Sequence, residues 1–285
     1  MAYVQVPTRI SAHLQATLVT NGYSFKVWVK KTENIHGMVF SVNVGPSWEN
    51  ACVEVSIIAP GGFLPSDTAH LTRVKYQPCC SCDRLLAKGG GSNIMVRETL
   101  KYVSKKYDWV KYFKLDDTST VQCLDGAKHT VSLAALMISY SGQTWYERDF
   151  GATLKHDHDE YRMYINKALN GKHLSFDEFA EANGLPEQQH ELFRGFYDRA
   201  LTLQSFFTDI KAAYPCDHPN HSFCTLVAPW LDSVVRHATN NMHVGEWIIP
   251  VTQIDKWGQQ VGDCVHGATF ETVFGAVVSE QHSKA

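Results

Sequence analysis

The sequence predicts a mixed α/β protein, with a strand-rich amino-terminal half and a mainly helical carboxy-terminal extension. Three observations support this class. Segments of alternating apolar and polar residues recur between positions 23 and 76, with turn residues between them. A glycine turn and an amphipathic helix follow, and beyond residue 171 the apolar residues recur at helical spacing. We therefore expect a core over residues 1–154 and a helical extension, packed on it, over 155–285.

The composition is that of an ordinary globular protein, with 44% hydrophobic and 19% charged residues. The formal net charge is −3 and no long basic run is present, which argues against a nucleic-acid partner. No apolar run approaches the roughly 18 residues that a membrane span needs, and the first residues lack a signal-peptide pattern. These features predict a soluble, cytoplasmic protein without a membrane partner.

The strand-rich part predicts an antiparallel meander. Its four alternating segments cover residues 25–29, 37–44, 51–58 and 71–76. Glu54 belongs to the third segment and points to the face opposite Val53 and Val55, because side chains alternate along a strand. A solvated carboxylate on an open sheet face is the simpler interpretation of Glu54. A general base is the alternative.

A glycine turn follows the meander and predicts an anion site. The helix after it carries apolar residues on one side and basic residues on the other. Ser92 or Asn93 is expected to cap this helix, so that backbone amides and the positive end of the helix dipole face the turn. A flexible connection is the alternative reading of the glycines. The candidate anion-binding residues are Lys88, Gly89, Gly90, Gly91, Ser92 and Asn93.

A short apolar strand is predicted over residues 110–115, directly after this helix. It ends in the polar residues Asp116, Asp117, Thr118 and Ser119. A helix followed by a strand at this spacing is one arm of a β-α-β unit, in which ligands bind at the carboxyl ends of the strands. A second helix and a closing strand are expected before residue 155.

This order of elements resembles the GNAT N-acetyltransferase family over residues 25–154. The sequence KGGGSNIM, residues 88–95, is similar to the family's glycine-rich turn, and TWYERDFGA, residues 144–152, is similar to the end of its second helix. The resemblance implies a GNAT-like central mixed sheet flanked by helices. It also implies that residues 88–93 hold the pyrophosphate of acetyl-CoA, that Glu54 is the base for an amine acceptor, and that Tyr146 returns a proton to the CoA thiolate.

The sequence departs from the family pattern at two places. Leu86 stands where the turn usually has Gln or Arg, and residues 76–83 (YQPCCSCD) replace a regular apolar strand. Tyr146 also has an alternative role as an aromatic residue that packs the end of the helix. The second functional hypothesis is therefore a catalytically inactive GNAT-like structural or interaction protein. The TWYExxFGA ending also resembles proteins of large DNA viruses, so a virion component is one form of this hypothesis.

The eight cysteines are expected to be mostly free thiols, because a disulfide scaffold would be shorter and richer in cysteine. Cys52 and Cys123 are expected in or near the core. One cluster in the extension has zinc-compatible chemistry, although its spacing is tighter than that of usual zinc sites. A polar loop with two free cysteines is the simpler interpretation. The cluster comprises Cys216, His218, His221 and Cys224.

Overall fold

The computed structural model describes residues 11–34, 37–61, 65–75, 77–86, 90–123, 130–215, 222–242 and 245–257. The protein is of the mixed α/β class, as predicted. The described residues form two compact units, the first within 11–116, 150–152 and 246–257, and the second within 117–149 and 153–245. The described residues of 117–149, which were predicted to belong to the core, lie in the second unit.

The helices and strands follow one another in this order. The strands are β1 (Ser11–Thr20), β2 (Tyr23–Asn34), β3 (Gly37–Val44), β4 (Val53–Ile58), β5 (Thr68–Val74), β6 (Tyr112–Asp116), β7 (Thr120–Gln122), β8 (Thr130–Ser132), β9 (Thr153–Leu154) and β10 (Glu246–Pro250). The helices are α1 (Gly91–Lys106), α2 (Leu133–Ser141), α3 (Trp145–Phe150), α4 (His158–Asn170), α5 (Phe176–Asn183), α6 (His190–Arg199), α7 (Leu203–Ala213), α8 (Phe223–Val227), α9 (Leu231–Ala238) and α10 (Val251–Lys256). Two short 3-10 turns cover Pro78–Cys80 and Glu187–Gln189.

The first unit is built on a mostly antiparallel sheet with the strand order β1-β2-β3-β4-β5-β6-β10. Neighbours from β1 to β5 pair antiparallel, which confirms the predicted meander. β5 and β6 are parallel and are connected through α1, and β10 then pairs antiparallel with β6. β1 was not predicted from the sequence, and it extends the meander by one strand.

Alternation along the strands decides which face of this sheet is buried. In β4, Val53, Val55 and Ile57 are buried while Glu54 and Ser56 are partly exposed. α1 packs against β1, β3 and β4, and its residues Met95 and Leu100 are fully buried. The apolar side of the predicted amphipathic helix therefore covers part of this unit's core.

The second unit is mainly helical, and aromatic residues fill its centre. Phe193, Phe206 and Trp230 are almost completely buried, with ring centroids 5.5 to 6.4 Å apart. The predicted apolar stripe thus forms a core, as expected. Ser175 and Glu178 form the predicted capping box at the start of α5, each side chain accepting a hydrogen bond from the other's backbone amide.

The second helix of the predicted core is interrupted. α2 ends at Gly142, which has a left-handed conformation with φ of 70°. A glycine adopts this conformation without a steric penalty, so the helix stops there and α3 begins after Thr144. Within the parts of the chain that the structure describes, none of the helices is both long and apolar enough to cross a bilayer.

Candidate functional site

The predicted anion site lies at the start of α1, and its capping differs from the expectation. Gly90 precedes the helix with φ of −107° and ψ of −23°, and it provides no side-chain cap. Ser92 and Asn93 lie inside the first turn, so the prediction that one of them is the N-cap is wrong. Lys88 and Gly89 lie outside the described residues. The helix amides at Gly91 and Ser92 have no acceptor within the helix itself.

Gly91 has a packing role that the sequence did not reveal. It is buried, and a Cβ atom built on it would overlap the side chain of Leu86. Neither Gly90 nor Gly91 has a positive φ, so a left-handed turn does not explain why these two positions are glycine. Among the described residues, no atom lies within 4 Å of a Cβ built at Gly90, which is exposed. Gly90, rather than Gly91, therefore has open space beside it.

The irregular segment before α1 is tied to the sheet. Cys80 in its 3-10 turn forms a disulfide with Cys52, and the two Cα atoms are 6.1 Å apart. The Cys82 backbone N–H donates a hydrogen bond to the Ser24 carbonyl in β2, at 2.7 Å. The Leu86 N–H donates to the Pro78 carbonyl, also at 2.7 Å. These contacts place Leu86 beneath the start of α1.

β5 and β6 separate at their carboxyl ends. Their parallel pairing covers three positions, Thr68 with Tyr112, Ala69 with Phe113, and His70 with Lys114. β5 continues to Val74 and β6 to Asp116, but the register gives neither extension a partner on the other strand. The opening between the two strands lies on the side from which β5 leads towards α1.

A β-bulge accompanies this separation. Glu54 and Val55 of β4 are paired with Arg73 and Leu71 of β5. Thr72, between these two β5 residues, is therefore an extra residue with no opposite position on β4. A bulge of this kind bends its strand and increases the local twist. The bulge at Thr72 lies two residues after His70, the last position of β5 that is paired with β6.

Glu54 lines a polar cavity of about 330 Å³ on the partly exposed side of the sheet. Its carboxylate forms an ion pair with the Arg73 guanidinium on β5, at 2.8 Å. The cavity is also lined by a second carboxylate, that of Glu49, and by the indole ring of Trp48. Glu54 was predicted from the sequence, but its polar neighbours were not. Alternation along β3 and β4 could have identified Ser41, Asn43 and Ser56, whereas Thr72 lies at the bulge of β5.

Tyr146 lies in the second unit and is 5% exposed. Burial raises the pKa of its phenol well above the usual range, and the Asp117 carboxylate contributes to the rise. Its side chain is hydrogen-bonded to Ser119, whose backbone N–H donates to Asp117 Oδ1 at 3.1 Å. Burial likewise raises the pKa of Asp117. At neutral pH the phenol is therefore held in its protonated form, in which it can donate a hydrogen bond.

The TWYERDFGA motif also has a structural role, which the resemblance did not indicate. Thr144 and Glu147 form a capping box at the start of α3, because the Thr144 N–H donates to Glu147 Oε2 at 2.8 Å and the Glu147 N–H donates to Thr144 Oγ1 at 3.2 Å. Glu147 Oε2 also accepts a hydrogen bond from the Tyr161 hydroxyl, at 3.1 Å. Arg162 lies 3.4 Å from Oε1. The motif is thus explained in part by helix capping and by a buried carboxylate.

The expectation that the cysteines are mostly free is wrong for four of them. Cys52 is bonded to Cys80, and Cys123 is bonded to Cys224. Because Cys224 is in a disulfide, it is not the thiolate that the predicted zinc cluster requires. The other three members, Cys216, His218 and His221, lie outside the described residues. Among the described residues, no group of three or more His, Cys, Asp or Glu side chains is placed to hold a metal ion.

Comparison with known proteins adds no relationship, since no protein-family model matches the chain and no curated protein or solved structure is detectably similar to it.

Proposed function

We propose that this protein transfers an acyl group, such as acetyl, from a CoA thioester to an amine. One observation carries the proposal: the parallel strands β5 and β6 pair over three positions and then diverge, with α1 connecting them. Ligands of open α/β sheets bind at the carboxyl ends of the strands, where such an opening lies. The order of strand, glycine turn, helix and strand is also the order that the resemblance to GNAT acetyltransferases implies.

The start of α1 is suited to the pyrophosphate of CoA. The first-turn amides of Gly91, Ser92 and Asn93 lie at the positive end of a helix of 16 residues. Gly90 is exposed and leaves open space next to them. We assign the pyrophosphate to these amides and expect Lys88 and Gly89 to belong to the same site.

The opening between the strands is suited to the pantetheine arm. Residues 71–74 of β5 have no partner on β6. The side of β5 that faces β6 is therefore an unpaired strand edge over these residues. An extended ligand with amide groups can bind such an edge as an added strand would. The thioester carbonyl would then lie near the bulge at Thr72, which also borders the cavity that contains Glu54.

Glu54 is the candidate general base. The amine must lose a proton as its nitrogen attacks the thioester carbonyl carbon, and a carboxylate accepts that proton. The C–S bond then breaks, and the thiolate takes up a proton. Glu54 is paired with Arg73, whose side chain is half exposed, so an ammonium substrate has to compete with this guanidinium. Tyr146, as the acid that protonates the thiolate, stays a prediction from the resemblance.

An interaction protein of the same fold, without transfer chemistry, is the second candidate. The contact of Gly91 with Leu86 favours it, because the glycine is then required by packing alone. The two candidates differ in whether CoA binds.

Calorimetric titration with acetyl-CoA tests the proposal, and the open space at Gly90 offers a matched pair of variants. Gly90→Glu adds a carboxylate next to the first-turn amides, whereas Gly90→Gln adds the same volume without charge. We expect the wild type and Gly90→Gln to bind, and Gly90→Glu to bind about tenfold more weakly, since like charges about 4 Å apart near a protein surface repel by about 1–4 kcal/mol.

Absence of binding by folded wild-type protein would refute the acyltransferase proposal and leave the interaction protein. Equal binding by the Glu and Gln variants would show that the pyrophosphate does not lie at α1. If acetyl-CoA binds as expected, turnover of a panel of amines by the wild type and by Glu54→Gln tests the general base. The substitution should lower turnover without weakening acetyl-CoA binding.

A further inference from the structure

The second unit contains a cavity of about 280 Å³ that is separate from the features considered for acyl transfer. It lies among residues of α4, α5, α6, α7, α9 and the segment between α4 and α5. Phe179, Val234 and Ala238 are at most 5% exposed and form its buried part. The apolar lining is completed by Ala168, Leu174 and Leu203.

Basic side chains lie at the rim of this cavity. Lys172, His173 and His237 line it, and His173 and His237 are exposed. None of the residues that line the cavity is Asp or Glu. The cavity thus combines a buried apolar part with a rim that favours an anion, which is the pattern of a site for a small amphipathic ligand.

The hydrogen bonds of His237 identify the nitrogen that is available to a ligand. Asn183 donates its side-chain N–H to the Phe179 carbonyl at 2.8 Å, so its amide oxygen is directed elsewhere. That oxygen lies 3.0 Å from His237 Nδ1. Nδ1 must therefore carry a proton and donate it to Asn183. Nε2 is left to face a ligand, and it is a donor when the imidazole is protonated.

Lys172 is held in place by backbone carbonyls. Its ammonium donates to the Tyr197 carbonyl at 2.8 Å and lies 3.5 Å from the Asp198 carbonyl. An ammonium group has three N–H donors, so these two contacts leave one for another acceptor. A positive charge that neutral carbonyls fix at the rim of an apolar cavity is ready to bind an anion, since its position is already determined.

We propose that this cavity binds a small aliphatic carboxylate. Its alkyl chain occupies the apolar part beside Phe179, and its carboxylate accepts hydrogen bonds at the rim from Lys172 and from Nε2 of His237 in the imidazolium form. The volume equals that of about nine water molecules at roughly 30 Å³ each, which limits the ligand to a chain of medium length. This site does not depend on the proposed acyl transfer, and either can fail without the other.

Titration calorimetry of the full chain with octanoate, 1-octanol and octylamine tests this inference. We expect octanoate to bind with a dissociation constant of about 1 mM or below, octanol to bind more weakly, and octylamine not to bind. Lys172→Gln should weaken octanoate binding about tenfold, because a hydrogen bond to a charged group is lost. Lys167→Gln removes the same charge from an exposed position of α4 that does not line the cavity, and it should bind octanoate as the wild type does.

Ala182→Trp tests whether octanoate binds in this cavity. Ala182 is exposed and lines the cavity, so a large side chain there fills the mouth without overpacking the core. Thermal unfolding first establishes that the variant is folded, and octanoate binding should then be lost. Any of four results would overturn the inference. Two concern the wild type: no binding of octanoate, or equal affinities for octylamine and octanoate. The other two are unchanged octanoate binding by Ala182→Trp, and equal weakening of octanoate binding by Lys172→Gln and Lys167→Gln.

Discussion

The Thr72 hydroxyl donates a hydrogen bond to the backbone carbonyl of Glu54, 3.3 Å away. This bond joins the extra residue of β5 to the strand that carries the candidate base. The bulge, the separation of β5 from β6 and the polar cavity therefore meet at Thr72, which borders that cavity. A single inserted residue thus brings together the backbone opening and the acidic side chain that the proposed chemistry needs.

Gly91→Ala should lower the free energy of unfolding by about 1–3 kcal/mol, because its methyl group would overlap the Leu86 side chain. Gly90→Ala is the control, and it should change stability by less than about 0.5 kcal/mol, since the position is open and exposed. A double-mutant cycle with Leu86→Ala, followed by urea unfolding, measures the coupling. If the cost of Gly91→Ala is the same in the Leu86→Ala background, the contact does not explain the glycine.

Glu147→Ala should be more destabilising than Glu178→Ala, although both glutamates occupy the N3 position of a capping box. Glu178 is exposed and its loss should cost about 1 kcal/mol. Glu147 is 8% exposed and also accepts a hydrogen bond from Tyr161, so its loss should cost about 2–4 kcal/mol. Guanidinium unfolding of the two variants provides the comparison, and equal costs would mean that the contact of Glu147 with Tyr161 contributes nothing.

The two disulfides should differ in what they contribute to stability. The bonded cysteines are 28 residues apart for Cys52–Cys80 and 101 apart for Cys123–Cys224. Because a longer loop restricts the unfolded chain more, replacing Cys123 and Cys224 by alanine should cost about 1 kcal/mol more than replacing Cys52 and Cys80. Unfolding of the two double variants measures this, and the opposite order would show that native contacts outweigh chain entropy here.

Thiol labelling checks the pairing itself. Cys79 and Cys82 are exposed and free, so they should react with iodoacetamide in the native protein. The four bonded cysteines should react only after reduction, and peptide mass spectrometry identifies each site. Labelling of Cys224 without reductant would contradict its disulfide. Disulfides are rare in reducing compartments, so this measurement on protein from its own source also tests the predicted cytoplasmic location.

Stability should fall as the pH rises from about 10 to 12, the interval between the usual phenol pKa and that of folded Tyr107. Burial raises the pKa of Tyr107 to about 12, with a smaller contribution from Tyr102. In this interval the unfolded chain ionises first, so the stabilisation is complete below pH 10 and is lost as the pH rises towards 12. Tyr107→Phe removes this contribution but keeps a ring against Phe40, whose centroid is 5.2 Å away.

Urea unfolding at pH 9 and pH 11 measures the effect. Between these two values the wild type should lose up to about 1 kcal/mol more than Tyr107→Phe. Equal losses in both proteins would assign the alkaline destabilisation to other groups, of which Tyr197 is one, since burial and the neighbouring Asp198 also raise its pKa to about 12.

The sequence by itself determined the elements whose signals are local. Alternation predicted β2 to β5, apolar spacing predicted α1 and the apolar stripe of α6 and α7, and Ser175 with Glu178 predicted the start of α5. These patterns depend on residues a few positions apart, so they can be recognised without knowledge of what lies across the fold.

Only the tertiary structure decided the features that depend on distant partners. Cys123 and Cys224 are 101 residues apart in the chain, yet their Cα atoms lie 5.5 Å from each other, and nothing in their spacing indicates that pairing. The contact of Leu86 with Gly91 and the separation of β5 from β6 are of the same kind. Each is fixed by how packed elements approach one another, because close packing and strand register select partners by shape and position rather than by sequence pattern.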